Sequence, residues 1–301
     1  MAGIWVVSGS RGQLGSALVS QLADAGDPVY AAGHDDLDVA KPSVVRSFLA
    51  ELPPGPKVLV NTAAFTHVDR CEREPGEARR VNAEGPAVLA AACCDMGIRL
   101  VHVSTDYVFA GNAARPYREA DATGPRSVYG QTKLTGERAV LAASSDFLVV
   151  RTSWVFGRGR NFIAAILGQA AARREGRATG PLRVVDDQRG RPTYAADLAA
   201  ALRQLVEGEA RGLYHVANAG ETTWWELARV CLDEAGYDGL EIERIRTGDL
   251  ELDAPRPAWS VLDCSKAENA GVRMRHWREA VAAYLGSDDS PLAPTQQSGG
   301  S

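Results

Sequence analysis

Apolar residues along the first half of the chain fall into short unbroken runs, and between the runs they recur every three or four positions. "GIWVVSG" is such a run, rich in β-branched residues and closed by glycine. "SALVSQLADAG" behind it has helical spacing and stops at Gly26. "DPVYAAG" predicts a second strand, and "PSVVRSFLAEL" a helix opened by Pro42 and ended by Pro53 and Pro54. "KVLVNTAA" reads as a third strand. A long helix is expected from about Glu77 to Met96, ending at Gly97, with "IRLVHVST" as the fourth strand. "VYGQTKLTGERAVLAAS" then reads as a helix and "FLVVRTS" as the fifth strand. Strands that are apolar throughout, rather than alternating, belong to a parallel sheet buried on both faces. The pattern therefore predicts an α/β fold, a doubly wound parallel sheet, over residues 1–150.

Beyond Arg151 the regularity loosens. "NFIAAILGQAAARREG" is helical, "LRVVDDQRGRPTY" is a strand running into a polar turn, and "AADLAAALRQLVEG" is helical again. "GLYHVAN" is a short strand, "TTWWELARVCLDEAG" a helix capped by Thr222 or Thr223, and "LDAPRPAWSVLD", with three prolines, a loop. These elements predict a smaller α/β cap domain over residues 151–194 and 216–287, with about 195–215 returning to the first domain. Residues 288–301, "DDSPLAPTQQSGGS", have the composition of a disordered tail.

Composition narrows the function classes. The 301 residues are 45% hydrophobic and 24% charged, with a formal net charge of -5 and the signs interspersed, so no basic stripe points to a nucleic acid. No apolar run approaches the roughly 20 residues that span a bilayer, so no membrane partner is expected. The N-terminal run carries no charged segment ahead of it and reads as a strand rather than a signal peptide. Cys71, Cys93, Cys94, Cys231 and Cys264 are odd in number and contain no CxxC, which predicts reduced thiols and a cytoplasmic protein. The five histidines lack HxxxH or HExxH spacing, so no metal site is expected from them.

Candidate chemistry begins at Gly9-Ser10-Arg11-Gly12-Gln13-Leu14-Gly15, a G-x-x-G-x-x-G between the first strand and first helix. Absent side chains let backbone N–H groups approach a pyrophosphate at a helix N-terminus, so the first half reads as a Rossmann dinucleotide-binding unit. The second strand ends "VYAAGH", without the acid that would hold the ribose hydroxyls of NAD. Arg11 can pair with a 2′-phosphate, which favours NADPH and leaves NADH possible. Asp38 and Val39 fit an adenine-edge contact, although Asp38 also suits a helix cap.

The fourth strand ends "HVSTDYVF", which places Thr105, Asp106 and Tyr107 at a carboxyl edge of the sheet, where doubly wound folds bind ligands. On the following helix Tyr129 and Lys133 stand four residues apart, on one face. A phenol with a reference pKa of about 10 exchanges protons poorly near neutrality. A nearby ammonium favours the phenolate and lowers that barrier. Hydroxyl, Tyr-x-x-x-Lys and glycine turn together read as a ketone-reducing centre of Thr105, Tyr129 and Lys133.

These segments resemble the extended short-chain dehydrogenases/reductases and, more narrowly, the dTDP-4-dehydrorhamnose reductase family. The likeness runs from Gly9 nearly to Leu285 through "NTAAFTHVDRCE", "VSTDYVFAG", "VYGQTKLTGE", "RTSWVFGRGRNF", "VVDDQRGRPT" and "RPAWSVLD". It implies reduction of the C4 ketone of a dTDP-4-keto-6-deoxy-L-hexose, with Thr105, Tyr129 and Lys133 catalytic. Gly12, Gln13, Leu14, Asp38, Val39, Ala63, Ala64 and Phe65 would line the cofactor, and Thr105, Asp106, Tyr107 and Trp154 would face the nucleotide sugar. Asn161, Gln188, Arg191 and Arg256 are weaker substrate-binding candidates, equally suited to structural roles. Some members dimerise through magnesium bridged by glutamates. Ser16-Ala17 and Tyr194-Ala195-Ala196 occupy those regions here, so a monomer or weak homodimer without a metal bridge is expected.

Three other readings stay open. A sister reductase acting on an antibiotic deoxysugar would keep the same catalytic set. A regulatory subunit that binds NADP without catalysis is disfavoured by the intact Thr105, Tyr129 and Lys133. A dehydratase or epimerase is disfavoured by Tyr107, which stands where dehydratases carry an acid.

Overall fold

The computed structural model describes residues 3–293. The chain opens with β1 (Ile4–Ser8), α1 (Gln13–Asp24), β2 (Val29–Ala32), α2 (Pro42–Ala50) and β3 (Lys57–Asn61). Two short helices follow, α3 (Val68–Arg73) and α4 (Pro75–Arg79), then α5 (Gly85–Met96), β4 (Arg99–Thr105), α6 (Val128–Ala143) and β5 (Leu148–Thr152). Next come β6 (Val155–Phe156), α7 (Phe162–Arg174), β7 (Leu182–Val185), β8 (Arg189–Gly190), β9 (Thr193–Tyr194), α8 (Ala195–Glu207) and β10 (Gly212–His215). The described chain closes with β11 (Thr222–Thr223), α9 (Trp224–Glu234), β12 (Ile242–Ile245), α10 (Ser265–Asn269) and α11 (Trp277–Leu285).

Six strands form one sheet in the order β10-β5-β4-β3-β1-β2, and every neighbouring pair is parallel. The doubly wound α/β sheet expected from the apolar runs is therefore the frame of the molecule. Its central strands are buried on both faces: Val6, Val7, Leu59, Val60, Leu100, Val101 and Leu148 to Val150 are fully enclosed. One face packs on α1 and α8 through Leu18, Leu22, Leu198 and Leu202, and the other on α2, α5 and α6 through Val45, Leu49, Leu89 and Val140. A separate apolar cluster, built on Phe156, Ile163, Leu182, Leu227, Trp277 and Tyr284, holds α7, α9, α11 and the β7–β12 pair together beyond the end of β5.

The long helix expected from Glu77 to Met96 is divided. Residues Arg80–Glu84 form a widened π turn between α4 and α5. Pro86, at the start of α5, has no N–H and its ring clashes with the carbonyl of a regular preceding turn, so the register must open there. The opened turn aims Asn82 at the loop after β3. Asn82 Oδ1 accepts from the Phe65 amide at 2.8 Å, and Nδ2 donates to the Phe65 carbonyl at 3.0 Å. Cys71, Cys93, Cys231 and Cys264 are buried and Cys94 is exposed, all free. Of the residues expected to be a tail, 288–293 form turns with Ser290 buried, and 294–301 lie outside the described residues. Among the described residues no helix is long and apolar enough to cross a membrane.

Candidate active site

A cavity of about 510 Å³ opens along the carboxyl edge of the sheet. Its walls come from the turn after β1 (Gly12 to Gly15), the loop after β3 (Thr62, Ala64, Thr66), the end of β4 (Ser104 to Tyr107) and the end of β5 (Thr152 to Val155). Tyr129 and Lys133 reach in from α6 and Trp224 from α9. A second cavity of about 370 Å³ shares Gly12, Thr62 and Ala64 with the first. Gly9, Arg11, Asp38, Val39, Ala63 and Phe65 line it. The two lie on either side of the glycine turn, an arrangement with room for the two halves of a dinucleotide.

The turn is close-packed for a reason. Gly9 sits at φ +73°, and a Cβ there would lie 2.6 Å from the Ala63 amide nitrogen. A Cβ on Gly15 would strike the Gly9 carbonyl. Gly12 precedes α1 with no side-chain cap, and the first turn of α1 carries no acid. Its unpaired N–H groups therefore face the cavities without a competing anion, which suits a pyrophosphate. Arg11, exposed at the mouth, pairs with Asp35 at 2.8 Å and Asp36 at 3.6 Å, so a 2′-phosphate would have to draw it from those carboxylates. Asp38 is gripped by Arg80 at 2.9 and 3.1 Å. Burial pushes its carboxyl up, but the Ala40 amide and the Arg80 guanidinium outweigh this and hold it below the usual carboxylate range.

At the reacting end, Ser127 caps α6 by accepting from the Gly130 amide at 3.1 Å, which sets where the Tyr-x-x-x-Lys face begins. Tyr129 packs edge-on to Tyr107, ring centres 5.4 Å apart. Burial pushes its phenol well above the ordinary value, and the Thr105 hydroxyl acts in the opposite direction. Thr105 Oγ1 in turn donates to Asp106 Oδ1 at 2.9 Å. The Asp106 carboxyl is enclosed and pushed up to about 6 by burial, against the hydrogen bond from Thr105. Lys133 is not hydrogen-bonded to the phenol: its Nζ donates to the Val103 carbonyl at 2.6 Å. Burial lowers its ammonium to about 8, opposed by the charge of Glu137 one turn on.

Beneath this layer lies polar machinery that residue spacing did not reveal. Glu137 accepts from Ser104 Oγ at 2.9 Å and from Arg151 Nε at 2.9 Å, and all three side chains are buried. Asn61 joins Ser8 to His102 in a second buried chain. Arg151 and Glu137 stand inside "RTSW" and "TKLTGE", but nothing local in either segment says that they meet.

Of the expected substrate contacts, Thr105, Asp106, Tyr107 and Trp154 line the main cavity. The four weaker candidates do not line it. Asn161 caps α7 and also bonds Gly157 and Tyr284, and Gln188 links Trp224 to Thr247. Arg191 is held by its backbone, whose carbonyl accepts from Ser153, while its Nε is buried without a partner among the described residues; Arg256 pairs with Asp69 at 2.5 Å. Trp224 is among the cavity residues that sequence reading missed, with Thr62, Thr66 and Thr152; "TTWW" marks a helix start but not which indole faces inward.

The fold and the cavity define a class, a nucleotide-dependent oxidoreductase of the extended short-chain dehydrogenase/reductase type. The sequence profile of the RmlD substrate binding domain matches residues 4–289. The chain belongs to that family. It is 44% identical over 285 residues to a dTDP-4-dehydrorhamnose reductase of Streptomyces griseus, covering 92% of this chain and 91% of the relative. It is 42% identical to a probable dTDP-4,6-dihydroxy-2-methyloxan-3-one 4-ketoreductase of Streptomyces antibioticus, covering 92% of each. Among solved structures, a dTDP-4-dehydrorhamnose reductase of Bacillus anthracis in complex with NADP superposes with a TM-score of 0.87 at 31% identity, covering 95% of this chain and 99% of the other.

Proposed function

We propose that this chain uses NADPH to reduce the C4 ketone of a dTDP-4-keto-6-deoxy-L-hexose, with dTDP-4-dehydro-L-rhamnose as substrate and dTDP-L-rhamnose as product. The observation that carries this reading is the convergence of Thr105, Tyr129 and Lys133 on one cavity that also contains the glycine turn. The reading divides the chain as its apolar clusters do, with the six-stranded sheet holding the dinucleotide and the cap around α7, α9 and α11 receiving the sugar.

When bound, the reduced nicotinamide supplies the hydride. The chain's own residues handle the oxygen. Tyr129 gives its phenolic proton to the ketone oxygen as negative charge builds there. Thr105 orients that oxygen by donating to it, which requires its hydrogen to leave Asp106 Oδ1. A protonated Asp106 would release it more readily, since a neutral carboxyl is a weaker acceptor than a carboxylate. Lys133 holds a buried positive charge near the phenol and so lowers the cost of forming phenolate. Tyr107 leaves the end of β4 without a second acid, which fits reduction rather than loss of water.

The test is consumption of reduced cofactor by the purified protein with dTDP-4-keto-L-rhamnose generated in situ, run with NADPH and with NADH. Turnover is expected with NADPH at the higher kcat/KM, and Tyr129→Phe should lower kcat at least about a hundredfold, the usual scale of losing a general acid. Binding of NADPH without turnover would favour the regulatory reading instead. The Streptomyces antibioticus relative supports a second substrate, another dTDP-deoxysugar ketone, which the same assay would rank by kcat/KM.

A further inference from the structure

Trp154 is one of two non-glycine residues at positive φ among the described residues, at +47°. This left-handed conformation is costly for a bulky side chain and persists only where its surroundings enforce it. The enforcement is visible. The Trp154 carbonyl accepts from the Thr193 amide at 3.1 Å, and the neighbouring Ser153 Oγ donates to the Arg191 carbonyl at 2.7 Å. The indole then lies flat on Trp224, ring centres 3.7 Å apart and planes within 7°. Gly190 presses on the same indole so closely that a Cβ there would lie 2.5 Å from Cε2. Trp224 is itself tied down: its Nε1 donates to Gln188 Oε1 at 3.0 Å, and Gln188 Nε2 donates to Thr247 Oγ1 at 2.9 Å. Thr247 Oγ1 is anchored by Asp187 Oδ1 at 2.6 Å.

A lone core tryptophan needs none of this. Here a strained backbone, a missing side chain and a hydrogen-bonded relay from the turn after β12 all converge on the pose of one ring, and that ring borders the main cavity. We propose that Trp224 and Gly190 are positioning residues, a clamp that fixes the indole of Trp154 and thereby shapes the sugar end of the cavity. The proposal rests on the keto-sugar reading for its substrate. The clamp acts on sugar binding and does not reach the second cavity beyond the glycine turn, which would hold the other half of the cofactor.

The experiment compares Trp224→Leu, Trp224→Phe and Gly190→Ala with the unmodified protein. A stacked indole pair gives an exciton couplet in circular dichroism, which reads the clamp without any ligand. Trp224→Leu should abolish the couplet and raise KM for the keto-sugar about tenfold or more, the scale of losing a central aromatic contact, with kcat and NADPH affinity within about threefold. Trp224→Phe keeps a stacking ring and should recover most of KM. Gly190→Ala, which pushes the indole aside from the other contact, should raise KM in the same way, and it carries the test if Trp224→Leu does not fold. An unchanged KM in a folded Trp224→Leu or Gly190→Ala overturns the proposal, as does a Trp224→Phe no better than leucine. If the unmodified protein does not turn over the keto-sugar, the substrate reading fails, and the clamp is decided by dTDP affinity. A loss in Trp224→Leu with recovery in Trp224→Phe supports it, and equal affinities overturn it.

Discussion

Asp106 shows what a single buried carboxyl costs and what it is kept for. Its pKa is pushed up to about 6, against about 3.9 for an exposed aspartate. The native state therefore binds the proton more tightly than the unfolded chain, so ionised Asp106 opposes folding. The penalty is absent below pH about 4, grows between about 4 and 6, and is complete above, at roughly 3 kcal/mol for a two-unit shift. Asp106→Asn should accordingly melt several degrees higher than the unmodified protein at pH 8 and show no such gain at pH 4, by calorimetry. A gain of equal size at both pH values would mean that titration is not its source. The same substitution should lower kcat, because it changes the partner of Thr105. Lys133 titrates on the other flank: with its ammonium held down to about 8, kcat/KM should fall on the alkaline side around that pH. Both residues stood out in the sequence as members of "STDYVF" and Tyr-x-x-x-Lys. Their pKa directions did not, because these come from burial, and burial belongs to the assembled edge of the sheet.

At the scale of elements, α6 decides how the site is held. Gly130 has no room for a Cβ against the Tyr107 carbonyl, and Gly136 none against the Asn82 carbonyl. The helix thus lies directly on the end of β4 at one place and on the π turn at another. Helix propensity alone favours alanine over glycine by about 1 kcal/mol. Gly136→Ala should nevertheless destabilise the protein, by about 1–3 kcal/mol from overpacking, as measured by urea denaturation. Stabilisation instead would show that the π turn yields freely. The sequence foretold a helix here, but its cap at Ser127 came from the structure. It also ran α4 and α5 together, since helical periodicity passes unbroken through Arg80–Glu84 and only the Pro86 ring forces the register open.

Across the whole molecule, the buried pair Glu137–Arg151 joins α6 to β5 and, through Ser104, to β4. Removing one partner strands the other charge, so Glu137→Gln or Arg151→Met alone should cost about 3–5 kcal/mol, and the double substitution should cost less than the sum. Additive losses in a double-mutant cycle would mean the two do not act as a pair. The sequence by itself determined the sheet, its parallel winding, the glycine turn and the face of α6 that carries Tyr129 and Lys133. Each of these is written in local periodicity or turn chemistry, where neighbours along the chain suffice. Only the tertiary structure decided that Trp224 lies on Trp154, that Glu137 meets Arg151, and that Asn161, Gln188, Arg191 and Arg256 do not themselves line the cavity. It alone also supplied the two-residue pairings β6–β9 and β8–β11. Such contacts join residues far apart in the chain and are stabilised by packing and exclusion of water, so no local pattern carries them.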